Sequence, residues 1–175
     1  MEAQFGHCTA QVADVLVVSA VGGKRGAVYT YRDTGSSWEL DGVLVAPDVS
    51  SDEKISDWFG DALVVSADIL VVGARGYNNN RGEAFVYLRD GGAGGAWTLS
   101  QKLSDQDTVE GDYFGISVGL LDDTIIVGKR GLEFSINGSV GFHSPTVFFF
   151  ERDNHTRKWK EVQRITKKNG SGFGF

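Results

Sequence analysis

The stretch DWFGDALVVSADILVVGARGYNNNRGEAFVYLRD, residues 57–90, decides how the chain folds, because its grammar recurs on both sides of it. The Phe-Gly pair near its start is found at Phe5-Gly6, Phe59-Gly60, Phe114-Gly115 and Phe173-Gly174, at steps of 54, 55 and 59 residues. An apolar β-branched run follows each of the first three pairs: LVVS at 16–19, LVVG at 70–73 and IIVG at 125–128. Next comes an aromatic run closing on Arg-Asp, as YTYRD at 29–33, FVYLRD at 85–90 and FFFERD at 148–153. Each unit ends with a tryptophan and an aliphatic residue six positions on, namely Trp38 with Leu44, Trp97 with Leu103 and Trp159 with Ile165. Four landmarks in constant order at a period near 50 residues define a repeat protein.

Within each unit the signals predict four short strands. In the first copy they cover 4–12, 15–20, 27–32 and 38–45, in the second 59–66, 69–74, 84–89 and 97–103, and in the third 114–120, 124–129, 147–152 and 159–166. Only Ala13-Asp14, Ala67-Asp68 or Asp122-Asp123 separates the first two strands of a unit, which predicts tight hairpins. The loop GYNNNRGE at 76–83 is rich in residues that tolerate positive φ. The loop at 131–145 is the longest departure from the pattern. No helical periodicity runs for ten residues anywhere. Four antiparallel strands per unit at this period read as propeller blades rather than a solenoid, each blade burying its faces by stacking on its neighbours. The expected fold is therefore all-β: three four-stranded antiparallel blades and the start of a fourth, an incomplete propeller. The repeats fall at about 4–56, 57–111 and 112–170, with a stub at 171–175, in one unit spanning 1–175. Phe59 and Phe114 are expected to be buried at equivalent positions, with Gly60 and Gly115 required by the backbone.

Composition agrees. The chain has 175 residues, enough to bury roughly 70% of its unfolded surface. A net charge of −6 argues against a nucleic-acid partner, which needs clustered basic surface. No apolar run approaches the ~20 residues of a membrane-spanning helix, and Met1-Glu2 ahead of the first repeat does not read as a secretion signal. The single cysteine, Cys8, excludes an internal disulfide and reads as a small hydrophobe.

The Phe-Gly pair, the D-x-L/I-V-V-G-A run, the aromatic strand ending in Arg-Asp and the W-x-x-x-Q-x-L pattern of Trp97, Gln101 and Leu103 together closely resemble the FG-GAP repeat of integrin α-subunit propellers. The resemblance covers essentially the whole chain. It implies a β-propeller serving recognition or adhesion, outside the cell or on its surface. In integrins the hairpin after the Phe-Gly strand is enlarged into a calcium loop. Here the matching hairpins carry only Asp14, Asp68 or Asp122-Asp123, too few ligands for a six- to eight-coordinate ion. The chain is thus of a short-hairpin type, with no cofactor expected.

Other candidate sites are sparse. The linker SDQDTVEGDY at 104–113 holds Asp105, Asp107, Glu110 and Asp112, of which Asp105, Asp107 and Asp112 are weak metal candidates. Asp57 and Asp112 each precede a Phe-Gly pair by two residues, which suggests a turn role. His7, His143 and His155 share no metal-ligand spacing. Sequons at Asn137, Asn154 and Asn169 lie in predicted loops and mark possible glycosylation. Arg81-Gly82-Glu83 resembles an adhesion tripeptide, yet Arg-Gly also occurs at Arg25, Arg75 and Arg130, so turn chemistry explains it better. No nucleophile, Walker or metalloprotease motif is present. The leading expectation is a non-enzymatic recognition or adhesion module, part of a larger protein, binding protein or glycan. The alternative is a carbohydrate-active propeller enzyme. An arc of three blades exposes an apolar face at each end, so further blades or self-association are expected.

Overall fold

The computed structural model describes residues 4–22, 25–47, 56–89, 95–131, 133–136 and 139–167. The proposed fourth copy at 171–175 lies outside them. Blade 1 comprises β1 (Gln4–Val12), β2 (Val15–Val21), β3 (Ala27–Asp33) and β4 (Trp38–Leu44), hydrogen-bonded in that order. Blade 2 repeats it with β5 (Phe59–Val65), β6 (Ile69–Ala74), β7 (Glu83–Arg89) and β8 (Trp97–Leu103). Blade 3 begins with β9 (Ser117–Leu121) and β10 (Thr124–Lys129). The long loop that follows is not bare: β11 (Glu133–Ile136) and β12 (Ser139–Phe142) pair within it as a separate hairpin. β13 (Thr146–Arg152) and β14 (Trp159–Thr166) then complete the four-stranded sheet. In the Asn-rich loop, Asn78, Asn79 and Asn80 carry a single turn through left-handed backbone at φ of 52°, 58° and 60°.

All pairings are antiparallel, and each blade carries a bulge at the same place, between Thr30 and Tyr31, Val86 and Tyr87, and Phe149 and Phe150. An extra residue there sharpens the twist of the outer edge. The register also shows that blade 1 is one residue short. Arg89 and Arg152 pair with Trp97 and Trp159, whereas Trp38 pairs with Asp33, and Arg32 falls one position earlier. Successive strand residues face opposite sides, so the arginine of blade 1 cannot cover its tryptophan. The guanidinium of Arg152 stacks 4.6 Å from the Trp159 ring and that of Arg89 lies 5.8 Å from Trp97. Trp38 is 37% exposed, against 9% and 2% for Trp97 and Trp159.

The core lies between blades. Val15, Val17 and Val28 of blade 1 pack against Phe59, Leu70, Phe85, Tyr87 and Trp97 of blade 2. The opposite face of blade 2, with Ile69, Val71, Ala84, Val86 and Leu103, packs in the same way on Phe114, Phe148, Phe150 and Trp159 of blade 3. Each joint thus sets an aliphatic face against an aromatic one. Burial of Phe114, Phe148 and Phe150 contributes about 1.5–3 kcal/mol apiece, which outweighs the roughly 1 kcal/mol of any single hydrogen bond across the joint.

Those hydrogen bonds set the register between blades. The Phe59 N–H donates to the Arg25 carbonyl at 3.0 Å, and the Phe114 N–H to the Arg81 carbonyl at 2.8 Å. Gly26 and Gly82 have to be glycine, because a Cβ on either would lie 2.3 Å from the Phe59 carbonyl oxygen or 2.0 Å from that of Phe114. The Phe-Gly pair is therefore the device by which one blade seats on the previous one. In blade 3 this reverses the expected start of the first strand: regular pairing begins only at Ser117, and Phe114 instead forms an isolated bridge to Gly82 of blade 2. The blades make an arc that is not closed.

Tyr87 lies in the first joint, and burial raises its phenol from 10.0 to about 12. A raised folded-state value means the contribution is intact below the unfolded value of about 10 and is lost as pH rises from there toward 12. Thermal melts across that range are expected to show falling stability that Tyr87→Phe makes shallower.

Candidate binding groove and its charges

The linker 104–113 leaves β8 and crosses the second joint to reach Phe114. Its acids are sorted by burial: the side chains of Asp105 and Asp112 are 2% and 0% exposed, while that of Asp107 is 85% exposed. The Lys129 ammonium, at the end of β10, sits 3.1 Å from Asp105 Oδ2 and 3.2 Å from Asp112 Oδ2. Arg164 approaches the other Asp105 oxygen at 3.6 Å, and His143 Nδ1 lies 3.5 Å from Asp112 Oδ1. Of the three metal candidates, two are thus brought together around a lysine and the third stays outside. Local bonds hold the loop: the Asp107 N–H donates to Asp105 Oδ1, the Val109 N–H to Asp112 Oδ2, and the Thr108 hydroxyl to the Asp105 carbonyl at 2.7 Å. Among the described residues no three His, Cys, Asp or Glu side chains converge as a metal centre requires. Addition of calcium or of a chelator is expected to leave the melting temperature unchanged, whereas a calcium-dependent rise would show that the linker acids can bind the ion.

Between the outer strands β8 and β14 the same joint opens into a groove of about 370 Å³, walled by Gln101, Lys102, Asp105, Asp107, Glu161 and Arg164. Glu161 holds Arg164 with both carboxylate oxygens, at 2.6 and 2.8 Å. Beneath them Gln101 clamps the backbone of the next blade: its Nε2 donates to the Trp159 carbonyl at 2.8 Å, and its Oε1 accepts from the Trp159 N–H at 2.9 Å. The W-x-x-x-Q pattern thus has a structural meaning, since a glutamine four residues past one tryptophan binds the backbone of the next. Gln101→Ala is expected to lower stability by about 1–3 kcal/mol, the loss of two partly buried hydrogen bonds, measured by chemical denaturation.

The remaining candidates are scattered. Phe59 and Phe114 are fully buried, but Phe5 is 58% exposed, because no described blade precedes it. Gly6, Gly60 and Gly115 share left-handed φ of 86°, 92° and 82°. Asp57 is buried next to the first joint. His7 pairs with Asp61 at 3.3 Å, and the His155 N–H donates to Asp153, so the three histidines stand apart. The Cys8 N–H donates to the Ser19 hydroxyl at 3.0 Å. Asn154 is exposed in the turn between β13 and β14. Asn137 and Asn169 lie outside the described residues. The Arg-Gly dipeptides divide into two kinds. Arg25-Gly26 and Arg81-Gly82 receive the next blade, as above. Arg75 and Arg130 instead stack over Trp58 and Tyr113, at 4.4 and 5.8 Å, the residues just before each Phe-Gly pair. Gly82 of the Arg-Gly-Glu triplet is therefore sealed within a joint.

Blades of four antiparallel strands, seated on one another through a Phe-Gly pair, define a β-propeller-type repeat module. The chain belongs to the FG-GAP repeat family, whose model matches residues 38–87 and 97–141. Each matched segment starts at an outer-strand tryptophan and runs across a Phe-Gly pair, so it straddles one joint. A comparison with curated proteins finds no match. Among the described residues no helix is long and apolar enough to cross a membrane.

Proposed function

We propose that the chain is a non-enzymatic recognition or adhesion module of a surface or secreted protein, taking a protein or glycan ligand in the groove between β8 and β14. The carrying observation is the groove itself: it spans two blades, its volume of about 370 Å³ is that of a ligand site, and its rim sets the exposed Asp107 against the half-exposed Arg164. FG-GAP repeats are typical of extracellular proteins, which supports the placement outside the cell. Glycosidic chemistry needs two carboxyl groups free to trade a proton and attack. In this groove Asp105 faces Lys129 and Arg164, Glu161 is held by Arg164, and the exposed Asp107 faces the same guanidinium at 4.0 Å. The enzyme reading is accordingly the weaker one. Glycan and protein arrays probed with the 175-residue chain, alongside a polysaccharide hydrolase screen, test the proposal. Binding that Arg164→Ala abolishes supports it, and turnover of a polysaccharide contradicts it.

A further inference from the structure

The turn between β13 and β14 carries a motif for which the groove has no use. Asp153 closes this turn: its carbonyl accepts from the Arg157 N–H at 2.8 Å, and its own N–H donates to the Lys158 carbonyl at 2.8 Å. Its Oδ1 takes the N–H groups of His155 and Thr156 at 3.0 and 2.7 Å and the Thr156 hydroxyl at 3.0 Å, while Lys160 grips Oδ2 at 2.8 Å. These donors, Lys160 first, hold the Asp153 carboxyl well below the usual carboxylate range. The bonds bypass the residue at the tip. Asn154 is exposed, and among the described residues none bonds its carboxamide.

The matching turn of blade 1 is closed in the same way, with the Gly35 N–H donating to Asp33 Oδ1 at 2.7 Å. There the residue after the aspartate has a structural task, since the Thr34 hydroxyl donates to the Ser37 carbonyl at 3.0 Å. Asn154 has no such task, so its side chain is available for chemistry. The blade 1 turn also shows what a neighbouring blade does to this position. Residues 33–37 stay exposed although blade 2 packs on that side of blade 1, and the opposite side of blade 3 already meets blade 2. A further blade stacked on blade 3 in the same manner would thus leave Asn154 open to solvent.

We infer that Asn154 is an N-glycosylation site, with Thr156 supplying the hydroxyl of the sequon; the inference rests on the reading of the chain as part of a surface or secreted protein. In the transfer, the Asn154 amide nitrogen displaces the pyrophosphate from C1 of a lipid-linked oligosaccharide. A C–N bond forms as the C–O bond to phosphate breaks, and the amide gives up one proton. A bulky, hydrated sugar chain has room here, because residues 154–158 are all exposed. The glycan stands ahead of β14, whereas Arg164 on the groove rim lies five residues past Trp159, roughly 17 Å further along the strand. It therefore flanks the rim and leaves it open to a ligand.

The 175-residue chain, directed by a leader into a eukaryotic secretory pathway, tests the inference by mass spectrometry after peptide-N-glycosidase treatment, which turns each glycosylated asparagine into aspartate. Conversion is expected at Asn154. Asn154→Gln is expected to lose that glycan with no change in the melting temperature of the deglycosylated chain, because the turn loses no bond. A variant carrying both Asn137→Gln and Asn169→Gln is expected to keep it. Translation into microsomal vesicles gives the same readout for a chain that the cell retains. An Asn154 left unmodified on chains that reached the lumen overturns the inference, as does a glycan found only at Asn137 or Asn169. Neither result touches the groove, whose reading stands or falls with Arg164→Ala on the arrays. A chain glycosylated at Asn154 that binds nothing there contradicts the groove reading and leaves this one intact.

Discussion

Phe114→Ala is expected to destabilise the chain by about 3–5 kcal/mol, the range for truncating a buried phenylalanine. At this chain length that corresponds to a fall of about 2–4 °C in melting temperature per kcal/mol. The ring is fully buried in the second joint, 5.2 Å centroid to centroid from Phe148 and 6.4 Å from Phe150. Its loss opens a cavity whose walls come from two blades, and neither wall can close it without moving a whole sheet. Phe5→Ala is the matched control. It removes the same landmark residue from a site more than half exposed, and in dilute monomer its cost is expected to be a small fraction of that at Phe114. Equal losses at the two positions would show that the Phe-Gly pair acts within its own blade rather than between blades.

The second large effect is at Lys129. Lys129→Ala leaves Asp105 and Asp112 buried without the ammonium that lies within 3.2 Å of both. Stranding one side of a buried ion pair costs about 3–5 kcal/mol, far more than an intact pair contributes over a neutral replacement. The triple variant Lys129→Met, Asp105→Asn, Asp112→Asn is therefore expected to be more stable than Lys129→Ala alone. Urea denaturation of the two measures the difference, and a triple variant less stable than the single one would show that the charges themselves are needed.

The architecture was readable because propeller blades repeat, and repetition exposes positions whose roles are structural. Strand positions in blades 1 and 2 follow the apolar runs and tight Ala-Asp hairpins closely, since short antiparallel strands are specified by local alternation and turn chemistry. What escaped the sequence is non-local. The long loop at 131–145 carries no strong strand signal, yet β11 and β12 pair there. The one-residue shortening of YTYRD is invisible until register shows that Asp33, not Arg32, sits opposite Trp38. The four Arg-Gly dipeptides look alike in sequence, and only the approach of the next blade's Phe59 or Phe114 separates those that receive a strand from those that stack on an aromatic ring. The linker acids could be read as ligands because their partner, Lys129, lies 24 residues from Asp105 and on another blade. A lysine at the position that Ala74 occupies in blade 2 was the available signal, legible only by laying one blade over the other.

The central claim is that Phe-Gly pairs seat each blade on the one before it, and native-state hydrogen exchange reads this most directly. The Phe59 and Phe114 amides donate to Arg25 and Arg81 across the two joints. They are expected to exchange as slowly as the buried amides of β6 and β10, opening only when the joint opens. Exchange of both at the rate of the exposed turn at Asn154 would contradict the account, because the blades would then not be joined through these residues.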